Sequence, residues 1–185
     1  MINQLADARR EPEAITWTLG GRLLTANEGD YDVDVQEGEF VGGRDFTIFP
    51  SAGDVLCVAG AALEREAARH GHYPDERSDA KGIEPEGAAV ATYHDRTFLF
   101  VGAERGHVVT VYDLDDETNP TFVQMLPTGM GPEGLLPIPQ RKLFVTANEE
   151  DGTIAIFQGR ARRAGTRYPQ VISDGLPWSA RSGCV

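Results

Sequence analysis

Cysteine is scarce: Cys57 and Cys184 are the two in the chain, one in a predicted strand and one beside the C-terminal residue. They form neither a disulfide framework nor a metal-ligand spacing, so cysteine chemistry is set aside. Long apolar runs are lacking as well. The longest, residues 97–103 and 142–147, fall far short of the roughly 20 residues that cross a bilayer, and no transmembrane segment is expected. No signal peptide is legible, because residues 1–11 carry Asp7, Arg9, Arg10 and Glu11 where an apolar core belongs. The chain therefore reads as cytoplasmic or as missing its true N-terminus. Basic residues are few, 17 Lys and Arg against 29 Asp and Glu, a formal net charge of −12. Such a chain repels phosphate backbones and anionic lipid, which removes nucleic acid as an expected partner and favours cations and cationic partners. A Gly-x-Ser-x-Gly elbow, a phosphate-cradling glycine loop and a histidine pair at metal spacing are all missing, and no catalytic residue is assigned.

What is present suits one folded domain: 185 residues, 41% hydrophobic and 25% charged. Its most informative feature is a repeat. Pro12-Glu13-Ala14, Pro85-Glu86-Gly87 and Pro132-Glu133-Gly134 each open a short apolar stretch, followed by a turn and a second strand. Those second strands end Thr25-Ala26-Asn27-Glu28, Val101-Gly102-Ala103-Glu104 and Thr146-Ala147-Asn148-Glu149. The last two copies are offset by 47 residues at the proline and 44 at the alanine, the blade period of a β-propeller. Third strands are predicted at 45–49, 107–113 and 153–158, and fourth strands at 55–59 and 121–126.

The expected fold is thus all-β, a β-propeller fragment of about three blades, two four-stranded and one three-stranded, forming a single partial domain. The blades are placed at about 12–60, 85–127 and 132–158. Residues 61–84 break the rhythm: 61–70 have helix-forming composition, with Leu63 and Ala67 four apart and Gly71 as the stop, and read as an insertion between blades. Residues 159–185 read as a C-terminal connector, with a basic run at Arg160, Arg162, Arg163 and Arg167 and a weak strand at 170–173. An unfinished ring leaves sheet faces and edges open, so self-association through open blade edges is also considered.

The strings Arg22-Leu23-Leu24-Thr25-Ala26-Asn27-Glu28-Gly29-Asp30, Gly82-Ile83-Glu84-Pro85-Glu86-Gly87 and Val111-Tyr112-Asp113-Leu114-Asp115-Asp116 resemble the choice-of-anchor I family. So do Gly131-Pro132-Glu133-Gly134-Leu135-Leu136 and Leu143-Phe144-Val145-Thr146-Ala147-Asn148-Glu149, and the likeness runs from about residue 11 to about 182. It implies a seven-bladed propeller of lactonase or phytase style in secreted, periplasmic or surface-attached bacterial proteins, some labelled alkaline phosphatase. Relatives run longer, and residues 177–183 resemble the start of a further segment, so the chain is expected to be an internal fragment or truncated product covering under half of the fold.

Glu13, Glu86 and Glu133 occupy one position, just before the first strand of successive units and hence near a central channel. Converging carboxylates suit Ca²⁺ or another divalent cation, which takes six to eight oxygen ligands in irregular geometry. The resemblance to lactonase-type propellers implies a divalent ion there. Pro-Glu-Gly also serves simply as an opening turn, with Pro fixing φ and Gly freeing the backbone. Asn27, Glu28, Glu104, Asn148 and Glu149 end the second strands, either as a polar rim of the channel or as ordinary hairpin turns. Asp30-Tyr31-Asp32-Val33-Asp34 imitates a Ca²⁺ loop but has Val35 and Val41 where the glycine and the bidentate glutamate belong, and reads as a solvated acidic loop, with a peripheral cation as the alternative. His70, His72, Asp75, Asp79, Lys81 and Glu84 crowd the insertion, as an acid/base set or as a packing cap. Two functions are expected. One is a binding or scaffolding module for an unknown ligand or protein. The other is a metal-dependent hydrolase of the phosphatase, phytase or lactonase kind with Glu86 and Glu133 as ligands.

Overall fold

The computed structural model describes residues 10–29, 43–159 and the backbone of 178–180. The acidic loop at 30–34, the basic run at 160–167, the weak strand at 170–173 and Cys184 lie outside the described residues.

The fold is all-β, with three antiparallel meanders following one another along the chain. The first sheet contains β1 (Pro12–Trp17), β2 (Leu23–Asn27), β3 (Asp45–Phe49) and the two-residue β4 (Cys57–Val58), in that order. The second contains β5 (Pro85–Tyr93), β6 (Arg96–Ala103), β7 (Val108–Asp113) and β8 (Thr121–Pro127). The third contains β9 (Pro132–Ile138), β10 (Leu143–Asn148) and β11 (Thr153–Gly159). Trp178–Ala180, taken from the sequence as the start of a further segment, pairs antiparallel with the outer edge of β11 as β12. The first strands line up at one side of the molecule, β1 beside β5 and β5 beside β9.

Two apolar clusters join the sheets, and the middle sheet contributes to both. Leu24, Ala26, Phe46 and Ile48 of the first sheet meet Leu99, Val101, Ala103, Val108 and Tyr112 of the second. From the opposite face of the second sheet, Phe98, Phe100, Val109 and Val111 meet Phe144 and Phe157 of the third. Phe100 and Phe144 stack with ring centroids 4.2 Å apart. This explains why β6 and β7 read as nearly unbroken apolar runs: residues on both faces of a central sheet are buried, whereas a one-sided strand alternates.

The helical insertion is α1 (Ala62–Arg69), whose buried Leu63 and Ala67 close the first cluster. It ends as its composition predicts. Gly71 takes φ 75°, and the amides of Gly71 and His72 donate to the carbonyls of Ala68 and Ala67, at 3.3 and 2.8 Å. Downstream, a 3₁₀ turn at Asp75–Arg77 returns the chain to β5.

Candidate functional site

The repeat acquires its meaning at the start of each first strand. Pro12, Pro85 and Pro132 are inside β1, β5 and β9 instead of in turns ahead of them. Each is followed by a register shift. Pro12 pairs with Asn27 but Ala14 with Ala26; Pro85 pairs with Ala103 but Gly87 with Gly102; Pro132 pairs with Asn148 but Gly134 with Ala147. Glu13, Glu86 and Glu133 are therefore the extra residues of three equivalent β-bulges, a device that re-aims one side chain out of the alternation of its strand.

The residue before each proline is equivalent too. Glu11, Glu84 and Gly131 have φ of 42°, 51° and 70°. A left-handed conformation is costly for glutamate, and a following proline already disfavours the right-handed helical region. The turn exposes a carbonyl that catches the end of the neighbouring strand: the amides of Glu28, Glu104 and Glu149 donate to the carbonyls of Glu11, Glu84 and Gly131, at 3.0, 2.9 and 2.8 Å. Each unit thus holds a bulge glutamate beside a strand-end glutamate by backbone geometry alone.

The consequence is a row of carboxylates at one end of the sheets. Carboxylate oxygens of Glu86, Glu104 and Glu133 lie within 4.8 Å of one another, as do those of Glu28, Glu84 and Glu86, so Glu86 belongs to both groups. Glu133 also hydrogen-bonds with Glu149. Glu13 is exposed and outside both groups, although its charge still acts on Glu28. Asn27 and Asn148 are turned into the sheets. Asn27 donates to Asp45 and Thr47 at 2.6 and 3.0 Å and accepts from Thr25 at 2.8 Å; Asn148 donates to Thr153 and accepts from Thr146, both at 2.9 Å. Both amides are buried and their hydrogen bonds stay within their own sheets.

Three cations offset part of the charge. Arg77 and Arg105 both pair with the buried Glu84, Arg105 at 2.9 Å, and Arg105 also reaches Glu104 at 3.1 Å and Glu150. Lys81 pairs with Glu28 and, at 3.3 Å, with Glu11. Of the insertion set, Lys81 and Glu84 join the cluster, while His70 sits against Phe122 and the carbonyl of Glu66. Arg77, Arg105 and Glu150 escaped the sequence reading because their partners are brought together by folding. The one available signal was that Arg105 and Glu150 each follow a strand-end glutamate.

The carboxylates outnumber the cations, and several hold their protons abnormally tightly. Burial, then the hydrogen bond and charge of Glu104, push the Glu86 carboxyl up to about 8. Glu104 is raised by burial against the opposing effects of Glu86 and Arg105. Glu133 is raised first by its hydrogen bond with Glu149, and Glu28 by burial despite Lys81. Carboxyl groups so placed either share protons or share a hard cation.

No curated protein matches the chain. A family profile, that of the choice-of-anchor I domain, matches residues 18–117, which include the first sheet from its β1–β2 turn, the helical insertion and most of the second sheet. The chain belongs to the choice-of-anchor I domain family.

Proposed function

We propose that the chain is part of a β-propeller that serves as a ligand-binding module of a surface-associated bacterial protein, with a divalent cation such as Ca²⁺ held by Glu86, Glu104 and Glu133. The family name supports surface association, and the meander of each sheet with its first strands side by side supports the propeller. The observation that carries the cation is the repetition of bulge, left-handed turn and backbone clasp, which sets a pair of glutamates in each unit and brings Glu86, Glu104 and Glu133 within 4.8 Å. Hard oxygen donors in flexible arrangement are what Ca²⁺ takes.

A thermal melt with excess Ca²⁺ and then with chelator tests this, since a ligand bound only by the folded state stabilises it by RT ln(1 + [L]/Kd). The melting temperature should rise by several degrees, and Glu86→Gln with Glu133→Gln should abolish the rise. A melt indifferent to Ca²⁺, or an unchanged response in the double variant, sinks the proposal.

A metal-dependent hydrolase is the second reading. It is favoured by Glu86, a carboxyl able to keep its proton near neutral pH beside other carboxylates, which is the pairing that acid/base chemistry uses. Turnover of a phosphoester or a lactone by the purified chain with Ca²⁺, lost in Glu86→Gln, would support it; no turnover with any divalent metal would end it.

A further inference from the structure

Two of the three units hold a cation that is the chain's own. In the first, the Lys81 ammonium pairs with Glu28, the strand-end glutamate, and at 3.3 Å with Glu11, the glutamate before the proline. In the second, the Arg105 guanidinium is 2.9 Å from Glu84, again before the proline, and 3.1 Å from Glu104, again at the strand end. The seats are equivalent, but the cations reach them from different places in the chain: Lys81 lies in the insertion ahead of β5, and Arg105 in the β6–β7 turn. In the third unit Gly131 stands before the proline, so the seat has lost one carboxylate, and Glu149 bonds with Glu133.

The two cations stand differently toward the carboxylates. Arg105 contacts Glu104 itself, whereas Lys81 holds Glu28, in the neighbouring group that shares Glu86. The Arg105 guanidinium is gripped from three elements at once: the turn before β5 through Glu84, the end of β6 through Glu104, and the β10–β11 turn through Glu150. It cannot shed its charge, because a guanidinium stays protonated in a protein. One oxygen of Glu104 is thus committed to a fixed positive group, and a second cation approaching that carboxylate is repelled in proportion to its own charge. The Arg105 side chain is 34% exposed, so solvent and salt weaken this repulsion without removing it.

We propose that Arg105 is a built-in competitor for Glu104 and that, with Lys81 beside it, it holds down the affinity of the row for a divalent cation. This rests on the divalent cation proposed for Glu86, Glu104 and Glu133, and adds what regulates it. The chain neutralises part of the row by itself, so folding does not depend on an ion, and an ion binds by outbidding a guanidinium. Selectivity follows from the same contest. A monovalent ion offers Glu104 no more charge than Arg105 does, whereas a divalent ion offers twice as much.

Calorimetric titration of the full, metal-free chain with CaCl₂ tests this. Arg105→Gln should bind Ca²⁺ about tenfold or more tightly than the unaltered chain, because a neighbouring positive charge is gone. The same variant should melt at a lower temperature without Ca²⁺, having lost its ion pairs with Glu84, Glu104 and Glu150. Affinity gained while stability is lost is the opposite of what damage to a purely structural residue produces. Arg105→Lys, which keeps the charge, should stay within about threefold of the unaltered chain. Lys81→Gln alters a side chain about one-third exposed and should gain about threefold, which preserves the test if Arg105→Gln does not fold. Arg96→Gln removes a cation at the start of β6, the end away from Glu104, and should change nothing. Ca²⁺ bound by the unaltered chain but equally or less tightly by Arg105→Gln overturns the competition and leaves the cation site standing. An equal gain in Arg105→Lys overturns it as well, since shape and not charge is then at work. No binding by the unaltered chain or any variant overturns both the competition and the site.

Discussion

Glu86 is the residue on which the carboxylate row turns, since both close groups include it. Its folded-state pKa of about 8 lies above the ordinary 4.5, so the folded chain binds this proton more tightly than the unfolded chain does. Stability contributed in this way is present below the unfolded value and is lost as pH rises through the folded one. Metal-free protein should therefore lose melting temperature between about 4.5 and about 8, with Glu104, Glu133 and Glu28 acting in the same direction. Glu86→Gln, which keeps the shape and cannot ionise, should flatten that slope in a series of melts across the window. A slope equally steep in the variant would locate the tight proton elsewhere. Glu84 matters through its ion pairs: its buried carboxylate is the common partner of Arg77 and Arg105. Glu84→Gln should cost about 1–3 kcal/mol by urea denaturation, because two charged donors lose a charged acceptor.

At the scale of the element, the decisive feature is the bulged opening of each first strand. A regular strand would place Glu13, Glu86 and Glu133 in the alternation and send Gly87 and Gly134 to the other face; the extra residue corrects the register beyond it. Gly102 shows how tightly the joint is built. A Cβ there would approach the Pro132 carbonyl to 2.9 Å, and a backbone atom cannot swing aside as a side chain can. Gly102→Val should destabilise by about 1–3 kcal/mol in the same assay, a penalty of overfilling despite the high strand propensity of valine. A neutral or stabilising effect would mean that the second and third sheets slide apart freely. The sequence showed the equivalence of the three Pro-Glu openings, and of Glu28, Glu104 and Glu149, because the same residues recurred in the same order in each unit, with a blade-length offset between the last two. It did not show that these prolines lie inside strands, since a bulge leaves no residue type of its own and Pro-Glu-Gly is equally good turn chemistry. Nor did it separate Asn27 and Asn148 from the glutamates beside them: adjacent strand residues point to opposite sides, and the threonines that hold these amides become partners only in the folded sheet.

For the whole molecule, the middle sheet carries both apolar clusters, and protection should be ranked accordingly. Amides of β6 and β7 should exchange most slowly in hydrogen–deuterium exchange, β1 and β4 fastest, as local opening tracks the contacts that must be broken. Uniform exchange across the three sheets would contradict this. That ranking was half legible: the unbroken apolar runs of β6 and β7 announced burial on both faces, whereas β1 with Ile15 and Trp17 looked just as apolar and is exposed. Hydrophobicity tells which surfaces seek cover, and only the stacking order tells which have found it. One detail of the stack reaches further. The strand-end position in every unit is gripped through its amide by the carbonyl of the residue before proline, and no side-chain atom takes part. Location and chemistry are thereby uncoupled. The socket stays put whatever amino acid fills it, so the rim can exchange carboxylate for amide, imidazole or hydroxyl by single substitutions, and the same architecture is free to change its clientele without relearning how to fold.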